Sequence, residues 1–251
     1  MAALNLLQVT DTHLVGDAAG RQRGVVTLDA LQAVLRLASE DSHDVVLLTG
    51  DVVHDDPEGY DWAQRELSAL GKPVLCIPGN HDDPDLLREA LAGEPFRHCG
   101  HHDFRGWRLV MLDSHVPGGA EGLLRPSELA RLEVALESAG DLHVLVVLHH
   151  HPIESGSRWL DTVGLVNAKE FLDIIDRHSQ VRGILWGHVH QSHDSLRRNA
   201  HGELRLMSTP STCVQFLPKS DDFVLDTLPP GFRTLQLQAD GRIDSQVRWL
   251  G

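Results

Sequence analysis

Five short stretches of this chain gather side chains able to hold a metal ion. They are "TDTH" (10–13), "TGDVV" (49–53), "PGNHD" (78–82), "LHHHP" (148–152) and "WGHVHQ" (186–191). Singly, each has an ordinary explanation. Asp11 can cap a turn, Gly-Asp is common in turns, "GNHD" fits a turn with incidental polarity, and a lone His-x-His is more often surface than ligand. His149, His150 and His151 follow one another, and side chains of an extended chain alternate faces, so they cannot all point the same way. As a set the stretches are more specific. Carboxylates, an amide and imidazoles suit intermediate divalent ions such as Mn, Fe, Zn or Co, whereas all-oxygen sites suit Mg or Ca and thiolates suit structural zinc. The set offers more donors than one tetrahedral ion uses, and it suits two ions sharing a carboxylate. Ions paired at about 3.5–4 Å serve in-line displacement at phosphorus. A hydroxide bridging both ions would then be the attacking group.

Such side chains need elements to bring them together. Apolar runs at 4–9, 44–50, 73–79, 142–148 and 181–186 read as buried strands, and each metal-competent cluster directly follows one of them. In open α/β sheets, the loops at strand C-termini converge on one crevice. Between the early strands, 27–38 has a helical apolar face behind Thr27 as N-cap. A second helix follows Asp56-Pro57, and a third opens at Asp83-Pro84 and runs through Leu91. Strand and helix in alternation imply a parallel sheet with helical crossovers. Further on, 103–105 and 107–113 predict a hairpin around Gly106, and helices are expected at 126–139 and near 166–177. The last sixty or so residues carry short β runs, "ELRLMS", "TCVQF" and "FRTLQLQ", then an Asp-Gly turn in "ADGRI". One α/β domain with two sheets over residues 1–251 is the simplest architecture.

Composition narrows the partners. The chain has 251 residues, 41% hydrophobic, with 22 basic against 36 acidic side chains and a formal charge of −14. That balance argues against nucleic acid or an anionic membrane as partner. It leaves room for a small anionic substrate, because a metal pair can reverse the sign inside one cleft. The three cysteines, Cys76, Cys99 and Cys213, form no framework and fit a reducing compartment. The N-terminal run lacks the basic start of a signal peptide, and no apolar run approaches the roughly 20 residues that span a bilayer. A cytoplasmic location is expected.

Taken in order, Asp11-x-His13, Gly50-Asp51, Gly79-Asn80-His81-Asp82, His149 and Gly187-His188-x-His190 resemble the calcineurin-like metallophosphoesterases, over residues 9 to 190. "LHHHPIESGSRWLD" (148–161), its spacing to "GHVHQ" and the tail "STPSTCVQFLPKSDDFVLDTLPPGFRTLQL" (208–237) narrow the resemblance to bacterial class III 3′,5′-cyclic AMP phosphodiesterases. The resemblance implies a four-layer αββα sandwich with two divalent ions, Fe or Mn with Zn or Co as alternatives. It implies that Asp11, His13, Asp51 and His190 hold one ion, and that Asp51, Asn80, His149 and His188 hold the other, Asp51 bridging. It places His81 beside the phosphate as the group that protonates the leaving O3′ when cyclic AMP opens to 5′-AMP. Asn80, His81 and His190 would contact substrate. Asp82 and His150 would stand behind the ligands, Asp82 orienting His81 or acting elsewhere in that layer, and His151 would shape the turn. Trp159 is expected to pack in the core, with stacking on a base as the alternative. Val166 stands where the family would lead one to expect arginine, which puts a phosphate contact at Asn167 in doubt, and "STCVQF" is expected to wall the cleft unless Cys213 is simply buried. The alternatives are a broader phosphodiesterase, acting on glycerophosphodiesters, 2′,3′-cyclic nucleotides or aryl diesters, and a binding protein with dead chemistry. The latter would need missing ligands, and every position is filled. The β-rich tail offers a surface for a homodimer.

Overall fold

Aliphatic runs without polar alternation suit strands buried on both faces, and the computed structural model, which describes residues 2–251, builds them so. The first half of the chain holds β1 (Leu4–Val9), β2 (Arg21–Gln22), β3 (Val25–Val26), α1 (Thr27–Ala38), β4 (Val45–Thr49), α2 (Gly59–Ser68), β5 (Val74–Ile77), α3 (Pro84–Ala90), β6 (Phe96–His98), β7 (Gly100–Phe104) and β8 (Trp107–Met111). The second half holds α4 (Pro126–Glu137), β9 (His143–Val147), α5 (Arg158–Asp161), α6 (Ala168–Ile175), β10 (Val181–Trp186), β11 (His193–Asn199), β12 (Gly202–Ser208), β13 (Gly231–Leu237) and β14 (Ile243–Trp249).

Two six-stranded sheets result, ordered β14-β13-β1-β4-β5-β6 and β11-β12-β10-β9-β8-β7. In the first, β1, β4, β5 and β6 run parallel while β13 lies antiparallel to β1. In the second, β8, β9, β10 and β12 run parallel, with β7 and β11 as antiparallel edges. The sheets pack face to face through Leu6, Leu47 and Leu75 on one side and Trp107, Leu145 and Leu185 on the other. Neighbouring residues face outward: Leu7, Val9 and Leu48 pack under Leu31, Val34 and Leu67, and Val146 and Ile184 pack with Leu132 and Phe171. The central strands therefore bury both faces, and the helices form the outer layers of an αββα stack. Polar residues enter the inter-sheet layer at its end, Gln8 and Arg233 among them. Buried Gln8 donates to Thr49 Oγ1 (2.9 Å) and Trp186 O (3.3 Å), and accepts from Thr209, so it ties the sheets together beneath the site.

Local differences from the sequence reading have local causes. The β3 ribbon keeps Val26 extended, so Val26 occupies the N-cap position and Thr27 is already helical, with no side-chain cap. Asp56 is recruited by Gly16 N (2.8 Å), which delays α2 to Gly59. Asp83 does cap α3, accepting from Asp85 N and Leu86 N at 2.9 and 3.1 Å. "TCVQF" is not a strand, and Phe216 makes a single bridge to Leu225. Its backbone groups serve the loops after β1 and β10 instead: Thr212 N donates to Thr10 O at 3.0 Å, and Val214 O accepts from His190.

Candidate metal centre and active site

The loops after β1 and β4 are zipped together by Asp11 N to Gly50 O (3.0 Å), His13 N to Asp51 O (3.0 Å) and Leu14 N to Val52 O (2.9 Å). Asp11, His13, Asp51, His188 and His190 all adopt left-handed backbone, with φ of 52°, 46°, 48°, 65° and 49°. Non-glycine residues seldom take this conformation, which turns a side chain out of the line of its strand, and it concentrates at functional sites. Gly50 (φ 92°) has no such freedom to be anything else. A Cβ there would lie 2.5 Å from His149 Nδ1 and 2.7 Å from Gly79 N.

The donors converge. His190 Nδ1 donates to Val214 O (2.7 Å) and His149 Nδ1 to Thr49 O (2.8 Å), leaving both Nε2 lone pairs pointing into the crevice. His190 Nε2 lies 3.3 Å from Asp11 Oδ1 and 3.1 Å from His13 Nε2. Asp51 reaches both sides, with Oδ1 3.4 Å from His149 Nε2 and Oδ2 3.9 Å from His13 Nε2. Asp11, His13 and His190 form one ligand group, Asp11, Asp51 and His149 a second, and His149, His150 and His188 a third. Asn80 Oδ1 and the Nε2 atoms of His149, His150 and His188 are buried without a hydrogen-bond partner. Buried acceptors left unpaired are costly, and lone pairs facing carboxylates repel unless a cation lies between them. The donor set therefore fits metal ions.

Electrostatics agree. Burial opposes a charged His149, but the Asp51 carboxylate outweighs it and raises the imidazole pKa, while burial works to raise Asp51 and His149 holds it well below the usual range. Burial holds His13 and His188 well below the ordinary imidazole value, neutral and ready to ligate.

Behind these residues stand others that sequence reasoning passed over. His54 Nδ1 lies 3.2 Å from His13 Nδ1, and the Gln22 side-chain amide closes on His54 Nε2. Asp55 accepts from His81 Nδ1 at 3.1 Å, while His81 N donates to Asp51 Oδ1 at 2.9 Å and sets the ring beside the centre. The only signal for these two was the polar "HDD" that follows "GDVV". Asp82 accepts from Val52 N, Val53 N, Gly79 N and the Tyr60 hydroxyl, fixing the turns that carry Asp51 and Asn80. Burial, then the neighbouring Asp51 charge, lifts its pKa to about 6. His150 pairs through Nδ1 with Ser114 Oγ at 2.8 Å, and His151 Nε2 sits 3.5 Å from Asp161.

A cleft of about 420 Å³ opens over the centre, lined by His13, Asp51, Asn80, His81, His188 and His190, and by Trp159 and Phe216. Trp159 packs against the outer core and also lines this cleft. Asn167 lies elsewhere, exchanging hydrogen bonds with Leu124 N (3.1 Å) and Leu124 O (2.9 Å). Val214 and Phe216 of "STCVQF" do wall the cleft, whereas Cys213 is fully buried.

Residues 4–192 match the family model described as calcineurin-like phosphoesterase. The chain belongs to that family. Among relatives of this phosphoesterase, a 3′,5′-cyclic adenosine monophosphate phosphodiesterase CpdA from Pseudomonas aeruginosa is 39% identical, over 98% of this chain and 90% of the relative. The protein of that name from Escherichia coli K12 is 38% identical over 99% and 90%. A dimetal phosphatase from Danio rerio superposes with a TM-score of 0.64 at 17% identity, covering 98% of this chain and 99% of its own. A purple acid phosphatase from yellow lupin gives 0.62 at 13% identity, covering 98% and 53%. These two share the phosphoesterase fold. No helix of the described residues is long and apolar enough to cross a membrane.

Proposed function

We propose that this phosphoesterase hydrolyses 3′,5′-cyclic AMP to 5′-AMP. The observation that carries the reading is the pair of ligand groups meeting at Asp51, with His81 held beside them. The activity named for relatives that match it along almost their whole length supports the substrate. Asp11, His13, Asp51 and His190 would hold one divalent ion, and Asp51, Asn80, His149 and His188 the other, drawn from Fe, Mn, Zn or Co. The two ions, when bound, supply positive charge to the phosphoryl oxygens and make water acidic enough to attack at neutral pH.

His81 supplies the proton. When protonated, it donates Nδ1–H to Asp55 and presents Nε2–H to O3′ as the O3′–phosphorus bond breaks. An alkoxide is a poor leaving group, so this transfer lowers the barrier at the step that opens the ring. Asn80 and His190 line the same cleft and would contact the phosphate from their ligand positions. The test is product analysis. Protein stripped of metal and reconstituted with Mn or Fe(II) should convert 3′,5′-cyclic AMP to 5′-AMP, and stripped protein should not. If only a model aryl diester is cleaved, the substrate assignment falls and the broader phosphodiesterase takes its place.

A further inference from the structure

Three aromatic rings stand beyond the ligand groups, where the phosphoryl chemistry has no use for them. Trp159, Phe216 and Phe223 meet edge to face, with centroids 5.1 Å (Trp159–Phe216), 5.1 Å (Trp159–Phe223) and 5.2 Å (Phe216–Phe223) apart. Phe216 also lies flat on the ligand candidate His190, at 4.0 Å and 7°. The triad is thus attached directly to the metal centre, one ring removed. Phe223 remains 41% exposed, in a chain with only 5% aromatic residues. Across from it the β2–β3 ribbon brings Arg23, whose guanidinium carbon rests 4.5 Å over the Phe223 ring. Arg23 is the only lysine or arginine among the residues lining the cleft.

We propose that Arg23 and Phe223 form the base-binding end of the site, a stack that opens to take the purine of the cyclic nucleotide between guanidinium and phenyl ring. The proposal rests on the nucleotide reading above and deepens it by naming what selects a nucleotide over a plain alkyl diester. The chemistry fits. A base presents two π-faces, one for an aromatic ring and one for a guanidinium, and both contacts are favourable when water is displaced. The present spacing is too small for a base, so Arg23 must swing aside. It is an exposed side chain at the tip of a two-residue ribbon, next to Gly24, and has room to do so. Phe223 does not need to move, because Trp159 and Phe216 buttress it from behind. The phosphate would then lie on the metal side of Phe216 and the base on the far side.

Because stacking is remote from the bond that breaks, it should act on KM rather than kcat. The test uses the metal-reconstituted full chain with two substrates: 3′,5′-cyclic AMP, and 1-deoxyribose 3′,5′-cyclic phosphate, which lacks the base. F223A and R23A should each raise KM for cyclic AMP by about 5- to 100-fold, the span of one base stack, with kcat little changed. The rise for the base-free compound should be several-fold smaller. F223W should recover most of the loss and F223L should not, a difference that a purely structural role would not produce. Equal losses on both substrates, or an unchanged KM for cyclic AMP in F223A, would overturn the base site while leaving the phosphodiesterase reading intact. Wild-type protein that opens the base-free ring and leaves cyclic AMP untouched would overturn both.

Discussion

At the scale of single residues, the proposed roles separate groups that would hold metal from groups that would aim or protonate. His81 contacts Asp51 only through its backbone N–H, and its ring is steered by Asp55. His81→Ala should therefore keep both ions and lose about 10²- to 10⁴-fold in kcat, the usual worth of a positioned proton donor. Metal analysis beside steady-state kinetics checks this, and full activity in the variant would remove the role. Asp55→Asn should keep the ions too and lose less, since the ring remains but is aimed more loosely. His54 acts on the other side. His13 can offer its Nε2 lone pair only if Nδ1 carries the proton, and His54 Nδ1 at 3.2 Å accepts that proton's hydrogen bond once the Gln22 amide presents its oxygen to His54 Nε2. His149 and His190 solve the same problem with backbone carbonyls. His54→Ala should weaken one ion by about 10- to 100-fold, as loss of a ligand's supporting hydrogen bond usually does. Equilibrium dialysis resolves it, and unchanged affinity for both ions would sink the idea.

At the scale of elements, the strands deliver side chains to one edge and the glycines let the loops meet there. Gly50→Ala should be more damaging than any conservative ligand change. It would add strain at φ 92° and drive a methyl group into His149 and the Gly79 backbone. Strain of that kind costs about 1–3 kcal/mol before the clash, so a lower melting temperature and reduced metal content should appear together. The central strands and their terminal clusters were legible because those strands are buried on both faces, which leaves an unbroken aliphatic run such as 45–48, and because Asp and His then stand out against it. Other features left no such mark. β11 alternates between half-buried and exposed positions and carries charge, so it looks like a loop until β12 pairs with it. "TCVQF" has strand-forming residues, yet its backbone is drawn to Thr10 and His190, the first of them in a loop at the far end of the sequence. Phe223 and Arg23 meet across the cleft from segments far apart in sequence, a juxtaposition that periodicity cannot carry.

At the scale of the whole molecule, the site stores a pH dependence. Burial lowers His13, His150 and His188 well below the ordinary value and His151 to about 4, so each is neutral when folded. Once unfolded they titrate near 6.5. Below that pH the unfolded chain binds more protons than the native one, so stability is fully present above about 6.5 and is lost as pH falls toward 4. Two groups oppose this in the metal-free protein. Asp82, raised by burial to about 6 from 3.8, loses stability as pH rises through that range, and His149, raised to about 9 beside the Asp51 carboxylate, does so at still higher pH. Four histidines against one carboxyl leave the acid side weaker. His151 alone accounts for about 3 kcal/mol across its window, at about 1.4 kcal/mol per pH unit. A chelated sample should therefore melt several degrees lower at pH 5 than at pH 7, and His151→Gln should flatten that slope by up to one proton while leaving the ligands in place. Metal should widen the gap, because it would bind two of these imidazoles, His13 and His188, only when they are neutral. Thermal unfolding across this range, with chelator and with Mn, decides it: a chelated protein as stable at pH 5 as at pH 7 would mean that the buried histidines open to water and protonate without unfolding the chain.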